Sequence, residues 1–217
     1  EDSSGVTARF APLRRIRGRI TDAESGAPIA GVAVRVFDAT GSRIATVRSD
    51  VSGNYSTADL PVGGYYARTY NRLGYVDQRY DGELCVNACA VRRGTPIGVG
   101  KAVTPSVDFV LAKGGTIAGT ATGARGGRLL AGVAGEVYAA GGALMASSVT
   151  DSAGVFATQV ALPSGDYFAR TRNALGFVDE VYSEMRCASS ACLVTGGTPI
   201  SVTAGATTGS IAFTLSR

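Results

Sequence analysis

A thirteen-residue stretch that occurs twice constrains this chain more than any other feature. The copies are 65–77 (YYARTYNRLGYVD) and 167–179 (YFARTRNALGFVD), and nine of the thirteen positions are identical. Aligned on this stretch, almost the whole sequence repeats at an interval of about one hundred residues. That interval is too long for a solenoid unit and suits a small domain. The sequence therefore predicts two homologous domains in tandem.

Alternating apolar residues within each repeat predict β-strands. Residues 15–20 (RIRGRI) place arginines on one face and apolar or small residues on the other, which we interpret as a protected edge strand. Each repeat closes on the pattern apolar-x-Phe-x-Leu, at 107–111 and 211–215. The repeated stretch itself predicts a hairpin, in which Arg68 and Asp77, like Arg170 and Asp179 in the second copy, could form an ion pair across the two strands. The fold class that follows is all-β.

Aspartate and glycine recur at a spacing that predicts a tight turn in both repeats. In the first, Asp50 precedes Gly53, and the carboxylate would accept hydrogen bonds from backbone N–H groups. A calcium site built from Asp50, Ser52 and Asn54 is the alternative. The second repeat has Ala153 and Val155 where Ser52 and Asn54 stand, so the turn is the favoured interpretation.

The positive charge of the chain lies in its first half. Residues 1–113 have 15 Lys+Arg against 11 Asp+Glu, and residues 114–217 have 6 against 6. Arg15, Arg17 and Arg19 form a candidate binding surface for an anion, and a solvated outer face is the alternative. Because no aromatic residues are interleaved with these arginines, we expect no nucleic-acid partner. No apolar run is long enough to predict a membrane span.

The four cysteines form one close pair per repeat, at equivalent places. Cys85 pairs with Cys89 and Cys187 with Cys192 if each loop is closed by a disulfide. A zinc site is the alternative, but structural zinc needs four ligands close together, and these pairs lie far apart in the sequence. Two local disulfides are favoured, which implies an oxidising compartment.

The residues offer little that could perform catalysis. The chain has no histidine, which is the commonest acid–base catalyst. A paired-carboxylate site remains as an alternative, with candidates in the first repeat (Asp77, Asp81, Glu83) and the second (Asp179, Glu180, Glu184). We interpret them as a solvated edge and predict a protein that is not an enzyme and needs no cofactor. Four tyrosines beside the cysteine loops form a candidate surface for an extracellular glycan or protein ligand: Tyr70, Tyr75, Tyr80 and Tyr182.

The order of these motifs resembles the carboxypeptidase regulatory-like family. The residues that match are 18–22 (GRITD), 26–32 (GAPIAGV), 50–55, 60–61 and 74–75, and the second repeat lacks the Thr-Asp and the proline of the opening segment. The resemblance implies tandem Greek-key β-sandwiches of the Ig-like or transthyretin-like class, similar to the B-type repeats of Gram-positive collagen adhesins. The internal duplication places the repeats at 15–113 and 114–217, and the resemblance implies a secreted bacterial protein.

These observations predict a non-catalytic structural or adhesive module, located outside the cell or on its surface. Its expected partners are other copies of itself or neighbouring domains of a longer chain. Residues 1–14 form an extension in which Val6, Ala8 and Phe10 alternate like a closing strand. One alternative is a filament that polymerises head to tail by addition of this strand. The other is a carbohydrate- or peptide-binding accessory domain of an exported enzyme.

Overall fold

The computed structural model describes residues 14–87, 89–100, 105–183, 185–187 and 192–217. Within these residues the regular structure is β, apart from two short 3-10 helices, Val91–Arg93 and Val194–Gly196. No helix in the described part of the chain is long and apolar enough to cross a bilayer.

The strands of the first half form two sheets. One has three strands in the order β4-β1-β7, and the other has four in the order β3-β2-β5-β6. Their bounds are Arg17–Asp22 (β1), Ala33–Asp38 (β2), Arg43–Arg48 (β3), Asn54–Ser56 (β4), Gly63–Tyr70 (β5), Ile97–Val99 (β6) and Phe109–Leu111 (β7). β1 and β7 are parallel neighbours, whereas the other pairs are antiparallel.

The second half repeats this arrangement. One sheet has the order β11-β8-β16, and the other has β10-β9-β12-β13-β14 with β15 also beside β12. The bounds are Thr116–Gly123 (β8), Ala134–Ala139 (β9), Leu144–Val149 (β10), Val155–Ala157 (β11), Gly165–Arg172 (β12), Asp179–Val181 (β13), Met185–Cys187 (β14), Ile200–Val202 (β15) and Thr207–Leu215 (β16). The first and last strands, β8 and β16, are again parallel.

Each half has its own hydrophobic core between its two sheets. The first core includes Ile20, Val34 and Phe109, and the second includes Ile117, Val137 and Phe213. These side chains occupy alternate positions along their strands, as the period-two pattern predicts. The predicted fold class, all-β with two tandem β-sandwich domains, is confirmed. The division between residues 113 and 114 stays a prediction.

The arginine-bearing strand does not lie at an edge. β1 pairs with β4 on one side and with β7 on the other, so the prediction of a protected edge strand was wrong. Arg17 and Arg19 do share the exposed face of β1. Gly18 faces inward, where a Cβ atom would meet the carbonyl oxygen of Val107. Close approach of Val107, just before β7, explains the glycine, and pairing with β7 explains the central position of the strand.

Residues that are identical in the two copies of the thirteen-residue repeat form the same turn in both domains. Asn71 Nδ2 donates to Asp77 Oδ1 at 2.7 Å, and Asn173 Nδ2 donates to Asp179 Oδ1 at 2.6 Å. Gly74 has a φ of 83°, which favours glycine. The repeated Asn, Gly and Asp residues are thus explained by the turn.

The ion pair expected across this hairpin is not formed. Asp77 accepts hydrogen bonds from Thr69 and Asn71, and no ion pair within 4.0 Å joins it to Arg68 among the described residues. In the second domain Arg170 pairs with Glu136 instead of Asp179. The prediction was wrong because Asp77 accepts the hydrogen bonds that hold the turn of its own hairpin.

The Asp50 carboxylate lies in a tight turn, as the favoured interpretation expected. Its Oδ1 accepts from the backbone N–H groups of Ser52 and Asn54, both at 2.9 Å. In the second domain Asp151 makes the equivalent bonds to Ala153 and Val155 at 2.9 and 3.0 Å. Because the bonds go to backbone groups, the loss of the side-chain oxygens in the second repeat leaves the turn unchanged.

Candidate functional site

The outer face of the larger sheet differs in charge between the two domains. Side chains alternate along β2 and β5, so Arg35 and Arg68 point away from the core that Val34, Val36 and Ala67 enter. Arg35 is the register partner of Arg68, and Arg68 is the bridge partner of Arg79. We call Arg35, Arg68 and Arg79 the arginine row.

The same three positions of the second domain are neutral as a set. There the row reads Glu136, Arg170 and Val181. Arg170 Nε donates to Glu136 Oε2 at 2.8 Å, with the two side chains 16% and 9% exposed. Tyr138 also donates to Glu136 Oε2, at 2.6 Å. The second domain therefore carries a buried carboxylate that satisfies its central arginine.

Local electrostatics follow from these contacts. Burial opposes ionisation of Glu136, but hydrogen bonds from Tyr138 and Arg170 outweigh it and lower the pKa of this carboxyl below its usual value. Burial, with the hydrogen bond to Glu136, raises the pKa of Tyr138 to about 12. Glu136 therefore stays ionised beside Arg170 under ordinary conditions.

The central arginine of the first domain has no such carboxylate. Arg68 Nη1 donates to Cys85 Sγ at 3.4 Å, and the guanidinium carbon of Arg35 lies 3.6 Å from the centre of the Tyr70 ring. The buried Nε atoms of Arg68 and Arg79 have no hydrogen-bond partner among the described residues. Burial lowers the pKa of the Arg68 guanidinium, and the charge of Arg35 lowers it further. Three arginines thus lie side by side on one face of the sheet.

The first cysteine of each pair packs on this outer face. Disulfides join Cys85 to Cys89 and Cys187 to Cys192, and no described cysteine is free. In the second domain Cys187 packs with Val181 and Val194 in a small cluster against Tyr138 and Phe168. Cys85 and Cys187 therefore contact the sheet face that carries the row.

Replacing Cys85 and Cys89 together by serine is expected to lower the unfolding free energy of the first domain by only about 2 kcal/mol, because the closed loop is short. We expect hydrogen exchange to accelerate mainly around residues 85–91, measured on the full chain. The matched control is replacement of Cys187 and Cys192, which should affect the second domain alone. Global unfolding of the first domain would contradict this prediction.

The first cysteine loop also reaches the second domain. Asn87 Nδ2 donates to the carbonyl oxygen of Leu144 at 3.0 Å, and Val86 packs against the second core. Gly114 N donates to Gly74 O at 2.9 Å, and its own carbonyl oxygen accepts from Gly205 N at 2.9 Å. A Cβ atom at Gly114 would lie 2.6 Å from the carbonyl oxygen of Leu162. The connection between the domains is therefore enclosed by both of them.

The candidate arginine surface on β1 is of mixed charge. Arg15 Nε pairs with Asp59 Oδ1 at 2.8 Å, and Arg19 Nε donates to Ser52 O at 3.2 Å. An open depression beside this strand is lined by residues of both charges, including Arg17, Arg19, Arg48, Asp50 and Asp108. The neighbouring carboxylates offset the positive charge. A binding role for Arg15, Arg17 and Arg19 stays a prediction.

The four candidate tyrosines contact different parts of the fold. Tyr80 and Tyr182 are equivalent residues, and each packs edge-on against a core phenylalanine, Phe109 or Phe213. Tyr75 donates from its hydroxyl to Asp22 Oδ2 at 2.8 Å, whereas Tyr70 stacks with Arg35. Three of these contacts are internal to the fold, so their ligand-binding role stays a prediction. Tyr70 alone lies beside the arginine row.

Asp22, the last residue of the GRITD motif, caps a turn. Its Oδ1 accepts from the backbone N–H groups of Glu24 and Ser25, at 2.9 and 2.8 Å. The hydrogen bond from Ser25, followed by that from Tyr75, holds the pKa of Asp22 well below its usual range. The equivalent residue of the second repeat is Gly123, which has no carboxylate.

The stability of the first domain is therefore expected to fall with acidification through Asp22. A depressed folded pKa contributes stability that is present above the unfolded value of about 3.9 and is lost as pH falls further below it. We expect the Asp22→Asn variant to show a smaller loss of melting temperature between about pH 5 and pH 2 than the wild type. Thermal melts across this range measure the effect, and an unchanged pH dependence would contradict it.

The candidate catalytic carboxylates are engaged in structural contacts. Asp77 accepts from Asn71, Glu83 pairs with Arg79 at 2.8 Å, and Asp81 accepts from Thr95 at 3.3 Å. In the described residues, no group of three or more Cys, Asp or Glu side chains is placed to hold a metal ion. Val6, Ala8 and Phe10 lie outside the described residues, as does Glu184, so strand addition stays a prediction.

Reasoning from the sequence missed the importance of positions 35 and 136. The aligned strands 31–38 and 132–138 show arginine in one repeat and glutamate in the other. A charge reversal between otherwise similar repeats was the available signal. Its meaning depended on the register of β2 with β5 and of β9 with β12, which the structure supplies.

Comparison with known protein families gives a match in the first half of the chain. The model of the carboxypeptidase regulatory-like domain matches residues 15–112. The search of curated proteins gave no significant match.

Several solved structures are similar to this chain at low sequence identity. The TIE protein of Bacillus anthracis has a TM-score of 0.38 and 15% identity, over 94% of this chain and 34% of its own. A streptococcal ancillary pilin has a TM-score of 0.40 and 13% identity, over 94% and 62%. The minor pilin of Streptococcus agalactiae has a TM-score of 0.36 and 14% identity, over 94% and 96%. This chain thus spans about a third of the first protein and less than two thirds of the second.

Proposed function

Since residues 15–112 match the model of the carboxypeptidase regulatory-like domain, we propose that the chain is a non-catalytic structural module of a bacterial surface or secreted protein. In this proposal two coupled β-sandwiches act as a spacer that holds its neighbours apart at a set distance. The two disulfides support a location outside the cytoplasm, because such bonds persist in oxidising compartments.

The observation that carries the proposal is the contact network between the two domains. Domains joined by a chain are expected to move relative to one another unless something holds them. Here Asn87 donates across to Leu144, and Gly114 is bonded on both sides. The parallel pairing of first and last strands supports it, because the chain then enters and leaves each sandwich at opposite ends. Both features suit a spacer.

The engagement of the acidic side chains also supports a non-catalytic role. A paired-carboxylate mechanism needs two carboxyl groups facing each other across a cleft, with one pKa raised for proton donation. Burial raises the pKa of the Asp77 carboxyl, but this group and Glu83 each bind a neighbouring side chain of the same domain. The Asp77 contact stabilises the turn, and the Glu83 contact lies beside the cysteine loop.

A distance measurement between the domains tests the spacer. Spin labels on cysteines introduced at Val51 and Val149, which are 87% and 60% exposed, report the separation by pulsed electron resonance. We expect one narrow distance distribution in the full chain. Insertion of a Gly-Ser segment between Lys113 and Gly114 is the control and should broaden it. A broad distribution in the uninserted protein would contradict the proposal.

A further inference from the structure

We propose that the arginine row of the first domain binds a carboxylate from an acidic segment of a partner polypeptide. The site consists of Arg68 and Arg79 as hydrogen-bond donors, with Arg35 held beside them on the ring of Tyr70. This inference is independent of the spacer function.

The close arrangement of the arginines in the row is energetically unfavourable. Like charges directly opposite one another on neighbouring strands destabilise a sheet, and Arg35 is the register partner of Arg68. The exposed side chain of Arg43 adds to the positive charge that Arg68 experiences. Buried donors without an acceptor are also unfavourable, and the Nε atoms of Arg68 and Arg79 are such donors among the described residues.

The carboxylates near the arginine row are bound to other groups of the same domain. Asp77 accepts hydrogen bonds from Thr69 and Asn71, and it forms no ion pair within 4.0 Å with any described arginine. Glu83 pairs with Nη2 of Arg79, at 2.8 Å, and so leaves the Nε atom of that residue without an acceptor. The charge of the row is therefore only partly offset from within the domain.

The second domain indicates which ligand the arginine row would bind. At the position of Arg35, the second domain has Glu136, whose Oε2 accepts from Arg170 Nε at 2.8 Å. Arg170 is the equivalent of Arg68, so the same donor on the same strand already binds a glutamate side chain in this fold. Guanidinium groups also match carboxylates in geometry, often through two parallel hydrogen bonds. The first domain thus lacks a carboxylate at the place where the second domain has the side chain of Glu136.

The position of Arg35 is compatible with an incoming ligand. Its guanidinium carbon lies over the Tyr70 ring, 3.6 Å from the ring centre, a contact that holds a cation without using its hydrogen-bond donors. Arg35 is only half-buried, so part of its side chain faces the solvent from which a carboxylate would arrive. In the proposed complex the carboxylate lies beside Arg35 and accepts hydrogen bonds from Arg68.

The binding test uses the full chain and a capped tetraglutamate peptide. Arginine Nε–H signals are followed by ¹⁵N–¹H correlation spectra at low salt, and Arg68→Lys and Arg79→Lys variants assign them. We expect saturable shifts of the Arg68 and Arg79 signals with a Kd of about 1 mM or below. The Arg170 signal is the internal control and should not move. Equal movement of all three signals, or no saturable shift by about 10 mM peptide, would overturn the proposal.

A charge swap provides the sharper comparison. Arg35→Glu copies the arrangement of the second domain, so we expect at least about tenfold weaker peptide binding and a higher melting temperature for the first domain. Arg35→Gln, which removes the charge without adding a carboxylate, keeps the test valid if Arg35→Glu does not fold. Undiminished binding in the folded variant would contradict the proposal. So would tighter binding of an oligogalacturonate or of inorganic sulfate than of the peptide.

Discussion

Truncating Phe213 to alanine is expected to lower the unfolding free energy of the second domain by about 3–5 kcal/mol. Phe213 is 1% exposed and lies between Phe156 and Tyr182, with ring centres 6.1 Å away on both sides. The loss combines the transfer of a buried ring with the cavity that remains. For a domain of this size, the melting temperature should fall by more than about 10 °C.

Differential scanning calorimetry of the full chain measures this effect and tests the division into domains. The matched variant is Phe109→Ala, because Phe109 has the equivalent place in the first core and is also 1% exposed. Each variant should move one thermal transition and leave the other nearly in place. If both transitions moved together in both variants, the two sandwiches would unfold as one unit and the predicted boundary would have no thermodynamic meaning.

Replacing Glu136 by glutamine is expected to lower the unfolding free energy of the second domain by about 3 kcal/mol. Removing one partner of a buried ion pair typically costs about 3–5 kcal/mol, because the other charge stays behind without compensation. Arg170 is 16% exposed, which places the effect toward the lower end. Tyr138 would keep a weaker acceptor in the glutamine oxygen.

The control for this prediction lies at the equivalent position of the first domain. Arg35→Gln removes one of two opposing cations, so it should leave the first domain unchanged or stabilise it. Chemical denaturation with two-transition fitting measures both variants. Equal destabilisation by the two substitutions would show that size and packing, rather than charge, decide these positions.

Much of the fold could be predicted because its causes are local. Alternating apolar residues, the Asp50–Gly53 turn and the duplicated Asn71 and Asp77 each act within a few residues of chain. A close cysteine pair is equally local, and it predicted the loops that the structure closes with disulfides.

The errors arose where partners come from distant parts of the chain. Whether β1 is central or at an edge depends on β7, which lies almost ninety residues later in the sequence. Arg170 was expected to meet Asp179 nearby but pairs with Glu136, which is 34 residues earlier. Strand order and register decide such contacts, and a single sequence does not contain them directly. The arginine row became visible only once β2, β5 and the bridge at Arg79 were placed side by side.

The parallel pairing of first and last strands has a mechanical consequence. A pull on the two ends of a domain slides these strands past one another, so it loads their hydrogen bonds together instead of opening them one at a time. β8 and β16 are paired from Thr116 to Gly123, whereas the register of β1 with β7 covers only Ile20 to Asp22. Resistance to forced unfolding is set by the unfolding rate, and the longer shear contact should slow it. Under tension, the first sandwich would therefore yield before the second.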